Sequence, residues 1–159
     1  MRLTDILKPE YIKVPLAAKE KKAAISELVD LLAQSHQIQD AGLVLASVLE
    51  REATRTTGVG HGLAIPHSKC AGLNKLVMAI GKPREPIDFQ SVDGLPVFLI
   101  VLLVSPPEQT GAHIQCLARI SKLIMTGEAF RARLKAAKTA TEVYDAIVAQ
   151  EKMLDPVGA

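Results

Sequence analysis

An unbroken apolar run in the second half of the chain is the feature that most restricts the fold. It extends from Val97 to Val104, is rich in β-branched residues and shows no alternation of apolar and polar side chains. This pattern is typical of a central strand that is covered on both faces. Ser105-Pro-Pro107 ends the run, which is too short to cross a bilayer as a helix. We therefore expect a sheet with helices packed on its two sides.

Amphipathic segments supply the helices that this arrangement needs. Apolar spacing predicts a first helix from Ala17 to Ser35 and a second from Ala41 to Glu52, with Asp40 as the cap of the second. A third helix is expected from Gly111 to Thr126, with Thr110 as its cap. The side chains expected to face the core from the third helix are Ile114, Leu117, Ile120 and Ile124.

Shorter elements complete the predicted layers. Helical turns are expected at residues 3–10 and 128–135, and Thr139-Ala-Thr-Glu142 has the pattern of a capping box that opens a last helix. A Pro- and Gly-rich connection is expected from Gly81 to Pro86. Further strands are expected at residues 11–14, 63–65 and 75–80, with a brief pairing at 87–89. The predicted fold class is α/β: a single domain of helix–sheet–helix layers at residues 1–153, followed by a C-terminal tail at 154–159.

Composition narrows the function classes. The chain has 159 residues, a size that one domain can fill, and 19 Lys and Arg residues against 17 Asp and Glu residues. This balance, with 3% aromatic residues, argues against a nucleic-acid-binding surface. No secretory signal or membrane-inserting segment is expected. Because Cys70 and Cys116 do not form a disulfide framework, a cytoplasmic location is the expectation.

A glycine-rich stretch followed by a Pro-His pair is the strongest candidate for a functional site. The segment Gly58-Val-Gly-His-Gly-Leu-Ala-Ile-Pro-His67 alternates glycine with other residues, then continues into a short apolar strand that Pro66 closes. The sequence thus predicts a flexible glycine loop beside a histidine at a rigid strand end. Bare backbone N–H groups in such a loop suit anions. An imidazole next to an anion site is the arrangement that a phosphoryl-accepting histidine needs.

Three segments in order resemble one known family. Gly62-Leu-Ala-Ile-Pro-His67 is similar to the phosphorylation-site motif of the IIA components of the bacterial sugar phosphotransferase system, in the mannitol/fructose branch that includes nitrogen-regulatory proteins. Gly111-Ala-His113 is similar to the segment in which that family's second active-site histidine opens a helix. Arg51, upstream of the glycine stretch, is the third match. The resemblance covers residues 3 to 150 and implies a mixed sheet flanked by helices.

The resemblance also implies a function and its residues. His67 would be the nucleophile that carries the phosphoryl group, and Arg51 and His113 would donate hydrogen bonds to the phosphoryl oxygens. The backbone around Gly60, His61 and Gly62 would help to bind these oxygens. The donor would be a phosphohistidine carrier, HPr or its nitrogen-branch counterpart. The recipient would be a cysteine of a IIB domain, unless the phosphoryl group serves as a regulatory signal.

We expect no cofactor, since the resemblance implies that the phosphoryl group comes from phosphoenolpyruvate through carrier proteins. No metal is expected either, because hydrogen-bond donors at the site would neutralise the equatorial oxygens. His61 departs from the family pattern, in which many members have Asn, so His61 is a second candidate acceptor. His36 is interpreted as a solvated residue at a helix end.

Other readings of the sequence stay open. One is a regulatory binding module whose docking depends on the phosphorylation of His67, and another is a family member that makes protein contacts only. A zinc site is a third alternative, although its four candidate ligands lack the paired close spacings of structural zinc sites. These ligands are His61, His67, Cys70 and Cys116. Two further alternatives, a redox-active thiol at Cys70 and a serine hydrolase, have weaker support from the sequence. The sequence contains no Gly-x-Ser-x-Gly motif, which a serine hydrolase of this kind would need.

Overall fold

A six-stranded mixed sheet forms the middle of the computed structural model, which describes residues 1–155. The strands are β1 Ile12–Leu16, β2 Gly58–Gly60, β3 Leu63–Ala64, β4 His67–Lys69, β5 Val77–Pro83 and β6 Leu99–Ser105. Their order in the sheet is β1-β5-β6-β3-β2, and β4 pairs with β6 next to β3. Strand β6 is parallel to β3 and β4 and antiparallel to β5, so the mixed sheet is confirmed.

Helices cover both faces of this sheet. The α-helices are α1 Lys21–Gln34, α2 Ala41–Thr54, α3 Thr110–Met125, α4 Glu128–Ala136 and α5 Ala140–Leu154. Helices α1 and α2 pack on one face, and α3, α4 and α5 pack on the other. Three-residue 3-10 turns lie at Leu3–Asp5, Pro9–Tyr11 and Pro107–Gln109. In residues 1–155, no helix combines the length and the apolar character that a membrane crossing requires.

Strand β6 divides the hydrophobic core in the way that its sequence predicts. All seven of its residues are buried. Successive side chains point to opposite faces of a strand, so Leu99, Val101 and Leu103 join the core under α3–α5. The alternate residues Ile100, Leu102 and Val104 join the core under α1 and α2. The run contains no alternation of apolar and polar residues because both faces of this strand are buried, each in a different core.

Several predicted boundaries were wrong, and for two of them the structure shows a contact that sequence spacing does not reveal. The first helix begins at Lys21, since the N–H groups of Ala17 and Ala18 donate to the carboxylate of Glu27 instead of entering the helix. Strand β5 continues to Pro83 through the expected connection, where Gly81 allows Leu16 to pack against the backbone. The segment expected to be helical at 3–10 forms two 3-10 turns.

Helix α3 presents most of the predicted face to the core, but its first turn differs from the prediction. Ile114 is 59% exposed, and Thr110 does not cap the helix, because its hydroxyl donates to the carbonyl of Pro107. Ile120 and Ile124 are buried as predicted, and Leu117 is partly buried against the core. The fully buried residues of α3 are His113, Cys116, Ile120, Leu123 and Ile124. In this first turn His113, and not Ile114, is therefore the residue that is buried.

Two predicted caps have mixed outcomes. The Asp40 carboxylate accepts a hydrogen bond from the N–H of Leu43, as expected of an N-cap. The Thr139 hydroxyl accepts from the N–H of Glu142, but the Glu142 carboxylate accepts from Lys138, so only half of the capping box forms. Helix α5 extends into the expected tail at Leu154, and residues 156–159 lie outside the described part of the chain.

Candidate active site

His67 lies where the chain passes from β3 to β4. Pro66 precedes it, and the carbonyl of Pro66 accepts a hydrogen bond from the N–H of Leu103 in β6. The Nδ1 atom of His67 is 2.7 Å from the carbonyl oxygen of Ile65. A carbonyl oxygen only accepts hydrogen bonds, so Nδ1 carries the proton and Nε2 keeps its lone pair. In the neutral ring, the fold therefore leaves Nε2 of His67 without a proton.

The surroundings of His67 favour its neutral form. Burial lowers the pKa of His67 from 6.5, the hydrogen bond to Ile65 opposes this shift, and the positive charge of Arg51 lowers the pKa further. Near neutral pH, the imidazole is therefore uncharged and its Nε2 atom is available for attack.

His113 lies in the first turn of α3 and is 3% exposed. Its ring centroid is 5.5 Å from that of His67, with the two ring planes inclined by 61°. Its Nδ1 atom is 2.6 Å from the hydroxyl oxygen of Ser105 at the end of β6. Burial, with the charges of His67 and Lys69, lowers the pKa of His113 to about 4. His113 is thus a neutral imidazole beside the candidate nucleophile.

An open pocket of about 260 Å³ lies on one side of His67. Arg51, in the last turn of α2, lines this pocket, and its Nη1 atom donates to the carbonyl of Arg55 at 3.1 Å. The structure therefore brings Arg51 to the same pocket as His67. Other lining residues, none of them among the predicted site residues, include Arg55, Thr56, Thr57, Gly58, Val59, Val92 and Ser121.

A buried carboxylate binds Thr57, one of the residues that line this pocket. Glu52 is 6% exposed, and its two oxygens accept from the N–H of Thr57 at 2.8 Å and from the Thr57 hydroxyl at 2.5 Å. The Lys21 ammonium pairs with Glu52 at 2.7 Å. These contacts hold the segment after α2 in place, which positions Arg51 relative to His67.

The glycine stretch forms a β-hairpin in place of the predicted loop. Strands β2 and β3 pair antiparallel, and His61 and Gly62 form the two-residue turn with φ values of 57° and 79°. Positive φ at both central positions is typical of a type I′ turn, which glycine favours. An added Cβ at Gly62 would lie 2.4 Å from the ring of Phe98. The conformation of the turn therefore accounts for this glycine.

The hairpin engages one of the three residues, Gly60, His61 and Gly62, whose backbone was predicted to bind phosphoryl oxygens. The N–H of His61 donates to the Asp93 carboxylate at 3.0 Å, and this hydrogen bond contributes to lowering the pKa of Asp93. Among the described residues, the hairpin contributes Gly58 and Val59 to the lining of the His67 pocket. The residues of the glycine stretch that line the pocket, Gly58 and Val59, thus come directly before the three that were predicted to bind the anion.

The candidate zinc ligands are not brought together. Cys70 belongs to the core under α1 and α2, whereas Cys116 belongs to the core on the opposite face of the sheet. Burial raises the pKa of both thiols, that of Cys116 to about 12. Within residues 1–155, no group of three or more His, Cys, Asp or Glu side chains is arranged to hold a metal ion.

Sequence reasoning missed Ser105 and Thr57. Ser105 is the first polar residue after the apolar run, and a buried hydroxyl at that position is a signal for a hydrogen-bond partner nearby. Thr57 directly precedes the glycine stretch, but nothing local in the sequence links it to Glu52.

Comparison with known proteins adds independent information. A family model described as "Phosphoenolpyruvate-dependent sugar phosphotransferase system, EIIA 2" matches residues 5–150. The chain is 36% identical over 147 residues to a nitrogen regulatory protein of Bradyrhizobium diazoefficiens, which covers 92% of this chain and 95% of that one. It is 31% identical over 152 residues to the fructose-specific EIIABC component of Bacillus subtilis, with 96% of this chain aligned. The chain spans only 24% of that longer protein.

A solved structure agrees with these sequence matches. The nitrogen regulatory protein IIA-Ntr from Neisseria meningitidis superposes with a TM-score of 0.82 at 30% identity, covering 90% of this chain and 97% of that one. The fold, the match over nearly the whole chain and the relatives all agree with the resemblance seen in the sequence motifs. The chain therefore belongs to the EIIA type 2 family of the phosphoenolpyruvate-dependent sugar phosphotransferase system.

Proposed function

We propose that the protein is a histidine phosphotransferase of this system and accepts a phosphoryl group on Nε2 of His67. The observation that carries the proposal is the hydrogen bond from His67 Nδ1 to the carbonyl of Ile65, which leaves Nε2 unprotonated. In the transfer, the Nε2 lone pair forms a bond to phosphorus while the P–N bond of the donor phosphohistidine breaks. The leaving imidazole of the donor, an HPr-like carrier, keeps that electron pair.

Charge stabilisation in this proposal comes from side chains at the site. The guanidinium of Arg51 is planar and presents two parallel N–H donors, which suit the equatorial oxygens of a phosphoryl group. His113, whose ring lies 5.5 Å from His67, supplies a neutral donor. Because phosphoryl transfer depends mainly on positioning and electrostatics, these groups suffice without a metal or cofactor. The phosphoryl group itself originates from phosphoenolpyruvate.

The recipient separates two versions of the proposal. The fructose-specific relative combines A, B and C components in its name, which supports onward transfer from His67 to a cysteine of a IIB domain. We expect these carrier and IIB partners in the cytoplasm, with no nucleic acid and no membrane insertion involved.

A regulatory role is the second candidate function. The identity to a nitrogen regulatory protein, 36%, supports it. Val59 and Val92 line the pocket and are 37% and 70% exposed. Phosphorylation of His67 would place about two negative charges beside this apolar rim, which changes the partners that can dock there. Both roles share the phosphoryl acceptor and differ only in the fate of the phosphoryl group.

The deciding experiment measures intact mass after incubation with phosphoenolpyruvate, enzyme I and HPr. We expect one acid-labile phosphoryl group on the wild type, none on His67→Asn, and one on the matched control His36→Asn. His36 is exposed and has a φ value of 59°, a conformation that Asn tolerates. Addition of a IIB domain then tests for transfer to its cysteine.

Each outcome of that experiment has a distinct meaning. A phosphoryl group that persists on His67→Asn moves the acceptor to His61 or His113. No uptake by the wild type from any carrier removes the phosphotransfer proposal and leaves a binding module. Uptake without loss to a IIB domain favours the regulatory role, whereas loss to the IIB cysteine favours transport.

A further inference from the structure

The hydroxyl of Ser105 is buried at the end of β6, next to His113. Ser105 has 0% exposure, and its Oγ atom lies 2.6 Å from Nδ1 of His113. The Ser105 backbone carbonyl is separately engaged by the N–H of Cys70. In the described part of the chain, the His113 ring nitrogen is the one hydrogen-bond partner of this hydroxyl.

The acceptors available to each proton decide whether Ser105 Oγ or His113 Nδ1 is the donor in this hydrogen bond. If Nδ1 carried the proton, the Ser105 hydroxyl would accept from it and its own O–H would lack an acceptor among the described residues. A buried donor without a partner is rare in folded proteins. The alternative satisfies both atoms, because the hydroxyl donates to Nδ1 and the imidazole proton resides on Nε2.

The electrostatics around His113 favour the neutral imidazole, in which only one of the two ring nitrogens carries a proton. His67 and Lys69 are the charged or titratable groups that act on it, and both disfavour the imidazolium, as does burial, which is the largest contribution to its lowered pKa. The N-terminal position of His113 in α3 acts in the same direction. The location of the one ring proton is therefore set by the hydrogen bond.

We propose that Ser105 is a positioning residue that holds His113 in the Nε2–H tautomer, so that Nε2 donates to the phosphoryl group on His67. This inference rests on the proposed function for its phosphoryl ligand, but the tautomer itself does not. Among the described residues, no hydrogen bond joins the side chains of Ser105 and His67. Ser105 acts by fixing the orientation and the proton of the His113 ring.

Nitrogen-15 NMR of the imidazole rings tests the tautomer in the full unphosphorylated chain. We expect the wild type to show a protonated Nε2 and an unprotonated Nδ1 at His113 near neutral pH. In Ser105→Ala, the two nitrogens should move toward a mixture of tautomers, whereas the control Ser26→Ala on α1 should match the wild type. A protonated Nδ1 in the wild type, or an unchanged tautomer in Ser105→Ala, would overturn the proposal.

Phosphorylation kinetics test whether the tautomer matters. Loss of a preorganised donor in an active site lowers rates by about 100- to 1,000-fold. A donor that is only partly misplaced should cost less, so we expect about a tenfold slower uptake in Ser105→Ala. Ser105→Thr, which keeps the hydroxyl, should restore the His113 tautomer. In a His113→Gln background, Ser105→Ala should have no further effect on rate, because the two residues act as one unit.

These readouts separate the inference from the proposed function. Absence of phosphoryl uptake by the wild type would contradict the proposed function while leaving the tautomer measurement to decide the role of Ser105. Equal slowing by Ser105→Ala in the wild-type and His113→Gln backgrounds would show that Ser105 does not act through His113. If Ser105→Ala does not fold, the tautomer of the wild type still decides the outcome.

Discussion

His67 and His113 are both held by strand β6, one through the neighbouring strand and one through a side chain. His67 pairs with Leu103 in the β4–β6 register, and His113 Nδ1 lies 2.6 Å from the Ser105 hydroxyl two positions further along β6. Strand β6, whose seven residues are all buried, therefore supports both rings, whose centroids are 5.5 Å apart. A site that needs a nucleophile and a donor in fixed positions benefits from this rigid support.

Arg51→Gln tests the role of the guanidinium. Because the charge of Arg51 lowers the pKa of His67, we expect this pKa to rise in the variant, as measured by NMR titration of the His67 ring. Loss of a donor to the phosphoryl oxygens should also slow uptake by about 100-fold. The exposed Arg84 gives a control of equal charge, and Arg84→Gln should change neither quantity. An unchanged uptake rate in Arg51→Gln would remove Arg51 from the mechanism.

The lowered pKa of His113 predicts a specific pH dependence of stability. Between the pKa of the folded protein, about 4, and the ordinary value of 6.5, the unfolded chain binds more protons at this residue. The stability that His113 contributes is therefore complete above pH 6.5 and is lost as the pH falls toward 4. We expect the wild type to lose on the order of 2 kcal/mol more than His113→Gln over this interval, measured by urea unfolding. Equal losses would contradict the prediction.

Gly62 and Gly72 form a matched pair for testing the hairpin turn. Both have positive φ values, 79° and 93°, but an added Cβ at Gly62 meets the Phe98 ring, whereas one at Gly72 meets nothing within 4 Å. Gly72→Ala should therefore cost about 1 kcal/mol of unfolding free energy from backbone strain alone. Gly62→Ala should cost at least about 2 kcal/mol more, because Phe98 must move. Similar costs for the two variants would show that the turn adapts without disturbing Phe98.

His61→Asn tests whether the histidine of the turn competes for the phosphoryl group. His61 is exposed and has a φ value of 57°, and Asn-Gly is a favoured pair for a type I′ turn. We therefore expect the melting temperature to stay equal or rise slightly and phosphoryl uptake to stay at one group per chain. Intact mass and thermal unfolding measure both. A lower uptake in this variant would identify His61 as an acceptor.

Much of the architecture follows from local patterns in the chain. The apolar run around β6, the faces of α1 and the Asp40 cap depend on residues that are near each other in sequence, so spacing alone predicts them. The motif ending in His67 also identifies the family, which the comparisons confirm. The roles of His67, Arg51 and His113 in phosphoryl transfer stay predictions, although the structure brings all three to one region.

Tertiary structure alone decided the details that control the chemistry. The tautomer of His67 depends on the Ile65 carbonyl, and the next carbonyl, that of Pro66, accepts a hydrogen bond from Leu103 in β6. The burial of His113 in place of Ile114 depends on the packing of α3 against β6, where His113 meets Ser105. The sequence by itself determined the central strand, the amphipathic helices and the motif that identifies the family. Hydrogen-bond partners distant in the chain decided which nitrogen is free, because each such bond requires a geometry that only the packed fold provides.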